Sequence, residues 1–121
     1  MGTTLADNET DLLEENSVLS TYYPELIRNL PKFSGRFEAF QIDAENCKVL
    51  LATYPAGSVI EPHQHDTDNV GVITTGELLL TIAGVTKRIG PGEWYHVPAN
   101  TEHAAEFKLD TAEIEFWFAA K

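Results

Sequence analysis

The sequence predicts an all-β protein, a sandwich or barrel, on three observations. Short β-prone runs recur at near-regular spacing from residue 37 to 118, Gly, Pro, Asn and Asp fall between them, and helical periodicity is almost absent. At 121 residues, with 43% hydrophobic and 22% charged residues, the chain is long enough for one domain with a real core.

The first 16 residues are polar and acidic and read as an irregular leader, with a short helical turn at 12–18. Tyr22, Tyr23, Leu26, Ile27, Leu30 and Phe33 follow, broken by Pro24 and Pro31. This stretch is too interrupted for a long helix and is expected to drape over the core as a turn or edge segment. Strands are then expected at 37–42 and 48–54, joined by a turn at 43–46, and 55–58 ends the pair. Runs at 70–75 and 77–82 flank Gly76, and Ala83-Gly84 turns the chain into 85–89. Gly90-Pro91-Gly92 precedes 94–97, Pro98-Ala99-Asn100 precedes 103–107, and a last run covers 113–118. The division expected is a leader and edge segment at 1–34 and a barrel domain at 35–121.

The net charge of −11 argues against nucleic acid, whose phosphates are bound by clustered Lys and Arg. Six of the 19 acidic residues (Asp7, Glu9, Asp11, Glu14, Glu15, Glu25) precede residue 26 and read as a solvated tail. No apolar run approaches the roughly 20 residues of a spanning helix, and no basic-then-apolar signal pattern opens the chain. The lone Cys47 excludes an internal disulfide, fits a reducing, cytoplasmic compartment, and reads as a core filler rather than a nucleophile.

Four histidines carry the chemical signal. His63 and His65 are two apart, so both point to one side if they share a strand. Neutral imidazole is the commonest protein ligand for borderline divalent metals, and His103, in a late strand, can supply a third. The residues alone leave open three unrelated surface histidines.

Their surroundings narrow this. Gly57, His63, His65 and Gly76 follow the spacing G-x5-H-x-H-x3,4-E-x6-G, with Asn69 at the glutamate position. Gly92, Pro98 and His103 follow G-x5-P-x-G-x2-H-x3-N, with Asn100 at the second glycine and Phe107 at the final asparagine. In these two motifs the chain resembles the cupins over roughly residues 35–120. That resemblance implies a double-stranded β-helix, or jelly-roll barrel, with a metal in one mouth held by His63, His65 and His103. Asn100 is a mild departure, because asparagine tolerates the left-handed backbone region. Phe107 is expected to fill core.

Asn69 matters more. A carboxamide in place of a carboxylate leaves the ion's charge uncompensated, which favours an anionic, chelating substrate or a polarised water. Asn69 either touches the ion weakly, through its carbonyl oxygen or a water, or marks lost metal affinity. Asp66 and Asp68 are out of register for that ligand position, and Glu61 is a second-shell candidate for an imidazole or a plain surface carboxylate. His96 shares a strand side with Trp94, opposite Tyr95 and Val97; facing inward, it is the candidate catalytic acid or base. Tyr54, Trp94, Phe116 and Phe118 are read as the aromatic mass of the barrel, core or dimer-contact residues first and pocket walls second, and Val49 and Leu51 as packing residues.

Three imidazoles suit iron, manganese, nickel, zinc or copper. The resemblance implies a metal-dependent enzyme on a small molecule, dioxygenase-like or an isomerase or lyase. The alternatives are a non-catalytic metal or small-molecule binding module and a scaffold. Open strand edges predict a homodimer.

Overall fold

The computed structural model describes residues 21, 23–35 and 37–118. The expected acidic leader and its helical turn at 12–18 lie outside the described residues. A short helix, α1 (Glu25–Arg28), precedes nine strands. These are β1 (Glu38–Ala44), β2 (Cys47–Tyr54), β3 (Ser58–His63), β4 (Asn69–Thr75), β5 (Leu78–Ile82), β6 (Val85–Ile89), β7 (Trp94–Val97), β8 (His103–Phe107) and β9 (Thr111–Phe118).

Local chemistry sets the hairpins. Asn46 at φ 60° turns β1 into β2, and Ala83-Gly84, both at positive φ, turn β5 into β6, as tight two-residue connections require. Beyond these hairpins the chain passes back and forth between two antiparallel sheets. The larger runs β1-β2-β9-β4-β7 and the smaller β3-β8-β5-β6, giving a jelly-roll barrel. β3 is a strand the sequence reading did not separate out: it begins at Ser58 and pairs with β8 through Ser58, Val59, Ile60 and His63, with an irregularity between Ile60 and His63.

The core lies between the inner faces. Leu50, Ala52 and Tyr54 of β2, Ile73 of β4 and Val97 of β7 meet Leu78, Leu80, Ile89 and Phe107 from the smaller sheet. Phe107 is buried as expected and stacks on Tyr54 with ring centroids 4.1 Å apart. Phe37 continues that column at 5.1 Å from Tyr54, and Phe33 lies 4.9 Å beyond it.

A second cluster forms on the outer face of the larger sheet. Tyr23, Ile27 and Leu30 from the segment around α1 cover Phe40, Leu51 and Ala112. The Tyr23 hydroxyl donates to the Ala52 carbonyl at 2.7 Å. Because this sheet buries apolar residues on both faces, alternation alone does not tell inside from outside.

The aromatic residues divide on that account. Tyr54 is inside, but Trp94 is 59% and Phe118 41% exposed, and Phe116 stacks on Trp94 outside the core. Leu50, Ala52 and Thr53 are the fully buried residues of β2, Leu51 packs in the outer cluster and Val49 is half-buried.

Candidate metal centre

His63 ends β3, His103 begins β8, and these two residues are paired across the strands. His65 lies two residues past the end of β3, in the loop leading to β4, so it does not share a strand with His63. The loop is held on both sides: the Asn100 amide donates to the His65 carbonyl at 2.6 Å, and the Phe118 amide donates to that of Asp68 at 3.1 Å. Asn100 sits at φ 61°, the left-handed conformation expected of it.

The three side chains converge. One ligand atom from each of His63, His65 and His103 lies within 4.8 Å of the others. Each Nδ1 is engaged by a backbone carbonyl: Glu61 for His63 at 2.9 Å, Thr67 for His65 at 3.1 Å and Thr101 for His103 at 2.8 Å. A carbonyl only accepts, so in the neutral ring Nδ1 carries the proton and Nε2 keeps its lone pair. His65 Nε2 is buried and has no hydrogen-bond partner. Burial also holds the His103 imidazole below its ordinary pKa, which favours the neutral, ligating form. An orphaned acceptor beside two imidazoles whose Nδ1 atoms are likewise engaged is what a borderline divalent cation fits.

Of the remaining expected residues, Asn69 is buried at the start of β4 and donates from Nδ2 to the Phe116 carbonyl at 3.4 Å. The Glu61 side chain is exposed; the atom supporting His63 is its backbone oxygen. Asp66 is exposed too. Asp68 accepts from the Ala99 amide at 3.0 Å and lies 3.3 Å from His96. His96 itself is exposed, on the outward side of β7 with Trp94, while Tyr95 and Val97 face the core.

Two cavities meet at the histidines. A mouth of about 890 Å³ has Phe33, Phe37, Trp117 and Phe118 among its walls and His63 and His65 at its base. Cys47 is not core: it is half-buried at the rim of this mouth. An inner chamber of about 70 Å³ lies within the barrel, lined by His63, His103 and Asn69. Phe37, His63 and Trp117 line both cavities. Trp117 meets His65 edge-on, with centroids 4.6 Å apart.

The inner chamber also holds a pair of acids that sequence reasoning missed. Glu113 and Glu115 are 2% and 3% exposed and face inward from β9. Tyr95 donates to Glu113 at 2.5 Å, Tyr54 to Glu115 at 2.5 Å, and Trp117 Nε1 to Glu115 at 2.9 Å. The two carboxyls line the same chamber and interact electrostatically. Burial pushes both above the usual carboxylate range, Glu113 furthest because Glu115 stands beside it. Burial and the two acids also raise the Tyr54 and Tyr95 hydroxyls, which therefore remain donors. Gly71 opposes Tyr95 on one side and Glu115 on the other, and a Cβ there would lie 2.4 Å from the Tyr95 ring. Only glycine leaves Tyr95 room to reach Glu113.

Comparison with known proteins agrees with this architecture. Residues 50–117 match the family described as Cupin domain. The chain is 36% identical over 68 residues to H2HPP isomerase of Bacillus subtilis, a match covering 55% of this chain and 29% of that protein. It is also similar to the structure of KdgF from Halomonas sp., at TM-score 0.67 and 19% identity over 78% of this chain and 90% of the other. The DMSP lyase DddQ from Ruegeria pomeroyi gives TM-score 0.61 and 19% identity over 77% and 53%. At that identity the two structures establish the fold alone.

Proposed function

The chain belongs to the cupin family, and from that footing we propose that it is a metal-dependent enzyme acting on a small, anionic organic molecule, with one divalent cation on His63, His65 and His103. The observation that carries the proposal is the set of three Nδ1-anchored imidazoles around the orphaned His65 Nε2. Leaving a buried acceptor unpaired costs about 1–3 kcal/mol, a cost that a cation removes.

A bound divalent ion supplies a Lewis acid with coordination positions open to a substrate. The residues of the chain do the rest. The Glu61, Thr67 and Thr101 carbonyls fix the imidazole orientations. The aromatic walls of the mouth hold an apolar substrate body and exclude water, while the neutral first shell favours an anionic, chelating head group. The names of two relatives, an isomerase and a lyase, are compatible with such a site. His96, exposed on the far side of β7, is not assigned the acid or base role.

A second reading, a non-catalytic binding module, is favoured by Asn69, whose amide is committed to the Phe116 carbonyl where the family motif carries a carboxylate. In either case the partner is a second copy of the chain, docked through open edges such as β6 and β7; light scattering giving a monomer mass sinks that part.

Metal titration of purified protein tests the core of the proposal. One zinc or iron(II) ion per chain is expected, with affinity falling about 100-fold or more in His103→Ala. Wild type and variant binding metal equally would remove the proposal. Turnover of small chelating acids by the loaded protein supports the enzyme, and tight binding without turnover supports the module. Oxygen uptake under iron(II) separates an oxygenase from a redox-neutral enzyme.

A further inference from the structure

Buried carboxyls with no cationic partner are expensive, and a purely structural strand would carry apolar residues at those positions. Glu113 and Glu115 instead stand together in the chamber that His63 and His103 line, next to the mouth with which it shares Phe37, His63 and Trp117. Room for about two water molecules lies between these walls. Four further features hold the pair in place: the Tyr95, Tyr54 and Trp117 donors and the space kept by Gly71. Among the described residues, no Lys or Arg lines the chamber.

We propose that Glu113 and Glu115 are the proton acceptor and donor of this site, taking a proton from a carbon acid held at the three imidazoles and returning it. The inference rests on the metal-site reading above and assigns its reaction class, a redox-neutral proton shift. With one carboxylic acid and one carboxylate side by side, the pair carries a single proton between turnovers. A C–H bond next to a carbonyl breaks, its proton passes to the carboxylate directly or through one chamber water, and the electron pair moves onto the carbonyl oxygen. The reverse transfer delivers a proton to the same carbon or to a conjugated one. Nothing is oxidised and no co-reactant is consumed.

The test uses zinc-loaded protein, α-ketoisocaproate as a probe with a chelating head and an apolar tail, and deuterated water. Proton NMR follows exchange of the probe's C–H beside the ketone, dye competition gives zinc affinity, and infrared spectroscopy reports the carbonyl stretch of a protonated carboxyl. Exchange is expected to be faster than with zinc-free protein and to fall about 100-fold in Glu113→Gln. Zinc affinity is expected to stay within about twofold of wild type, because outer groups that do support ligands cost 10-fold or more. The protonated-carboxyl band should be present in wild type at neutral pH and absent from the variant.

No band in wild type, no exchange above zinc-free protein, or unchanged exchange in Glu113→Gln overturns the inference while leaving the metal site standing. Failure of wild type to bind zinc takes down both. A wild-type measurement covers the case of a variant that does not fold: as pH rises, exchange and the infrared band should disappear with one shared midpoint. Separate midpoints overturn the assignment.

Discussion

A histidine ligates well only when its tautomer and ring orientation are fixed before the ion arrives. Here three backbone carbonyls do this, from residues two before His63 and His103 and two after His65. The ligand spacing was legible because His-x-His and a distant third imidazole are visible as letters. The supporting atoms were not, since any residue type can lend a carbonyl: Glu61 has the exposed side chain expected of it, and supports His63 through its backbone oxygen. Gly71 was equally silent: its role depends on Tyr95 being opposite it, which only the β4–β7 register reveals. Gly71→Ala is therefore expected to lose about 1–3 kcal/mol of stability, as overpacked sites do. It should also release Tyr95 from Glu113. Urea denaturation measures the first effect, and a Tyr95→Phe background, in which that hydrogen bond is already gone, should absorb part of it.

At the level of elements, β9 explains where sequence reasoning stopped. Its alternation sets Ile114, Phe116 and Phe118 against Glu113, Glu115 and Trp117, and the ordinary reading sends the acids to solvent. The structure inverts it, because the β9 outer face lies in the sheet that Tyr23 and its neighbours help to cover, while its inner face lines a chamber in which Tyr54, Tyr95 and Trp117 donate to the acids. β2 shows the same ambiguity with the opposite residues: Leu50 and Leu51 both look like core, and β-strand phase had no second clue to choose between them. The buried acids should leave a thermodynamic mark. Their folded pKa values are raised, so above the ordinary glutamate value of about 4.3 the native state keeps protons the unfolded chain has released. This contribution is complete at acid pH and is lost as pH rises through the folded values. His103, held low by burial, bends the curve the other way below neutrality, so the informative quantity is a difference. Subtracting the stability of Glu113→Gln from that of wild type at each pH should give a value that falls as pH increases; a flat difference would show that the pair holds no extra proton. Tyr54→Phe, which strips one donor from Glu115, is expected to cost about 1–3 kcal/mol in the same denaturation series.

For the whole molecule, a sandwich or barrel was readable in the strand spacing and turn residues, because those are local, and the jelly roll followed from the resemblance of the two histidine-bearing motifs to the cupins. The division of labour between its ends was not. The three imidazoles belong to the β3–β8 pair of the smaller sheet and to a loop tied to β9 of the larger one by the Phe118 amide. A cation there links the two sheets across the open end of the barrel, where the aromatic mouth leaves little packing between them. Metal binding should then appear as global stability rather than local ordering. A ligand that binds only the native state at 100 times its Kd adds about 2.7 kcal/mol. For a chain of 121 residues each kcal/mol is worth roughly 3–5 °C in Tm. Zinc at that excess is thus expected to raise the melting temperature by roughly 8–14 °C. Chelator should reverse the rise, and His65→Ala should abolish it; because that variant also loses the Thr67 hydrogen bond and the Trp117 contact, the zinc-induced shift of each protein is the quantity compared. A calorimetric scan in which wild type and His65→Ala respond alike to zinc would place the stabilising ion elsewhere on the protein.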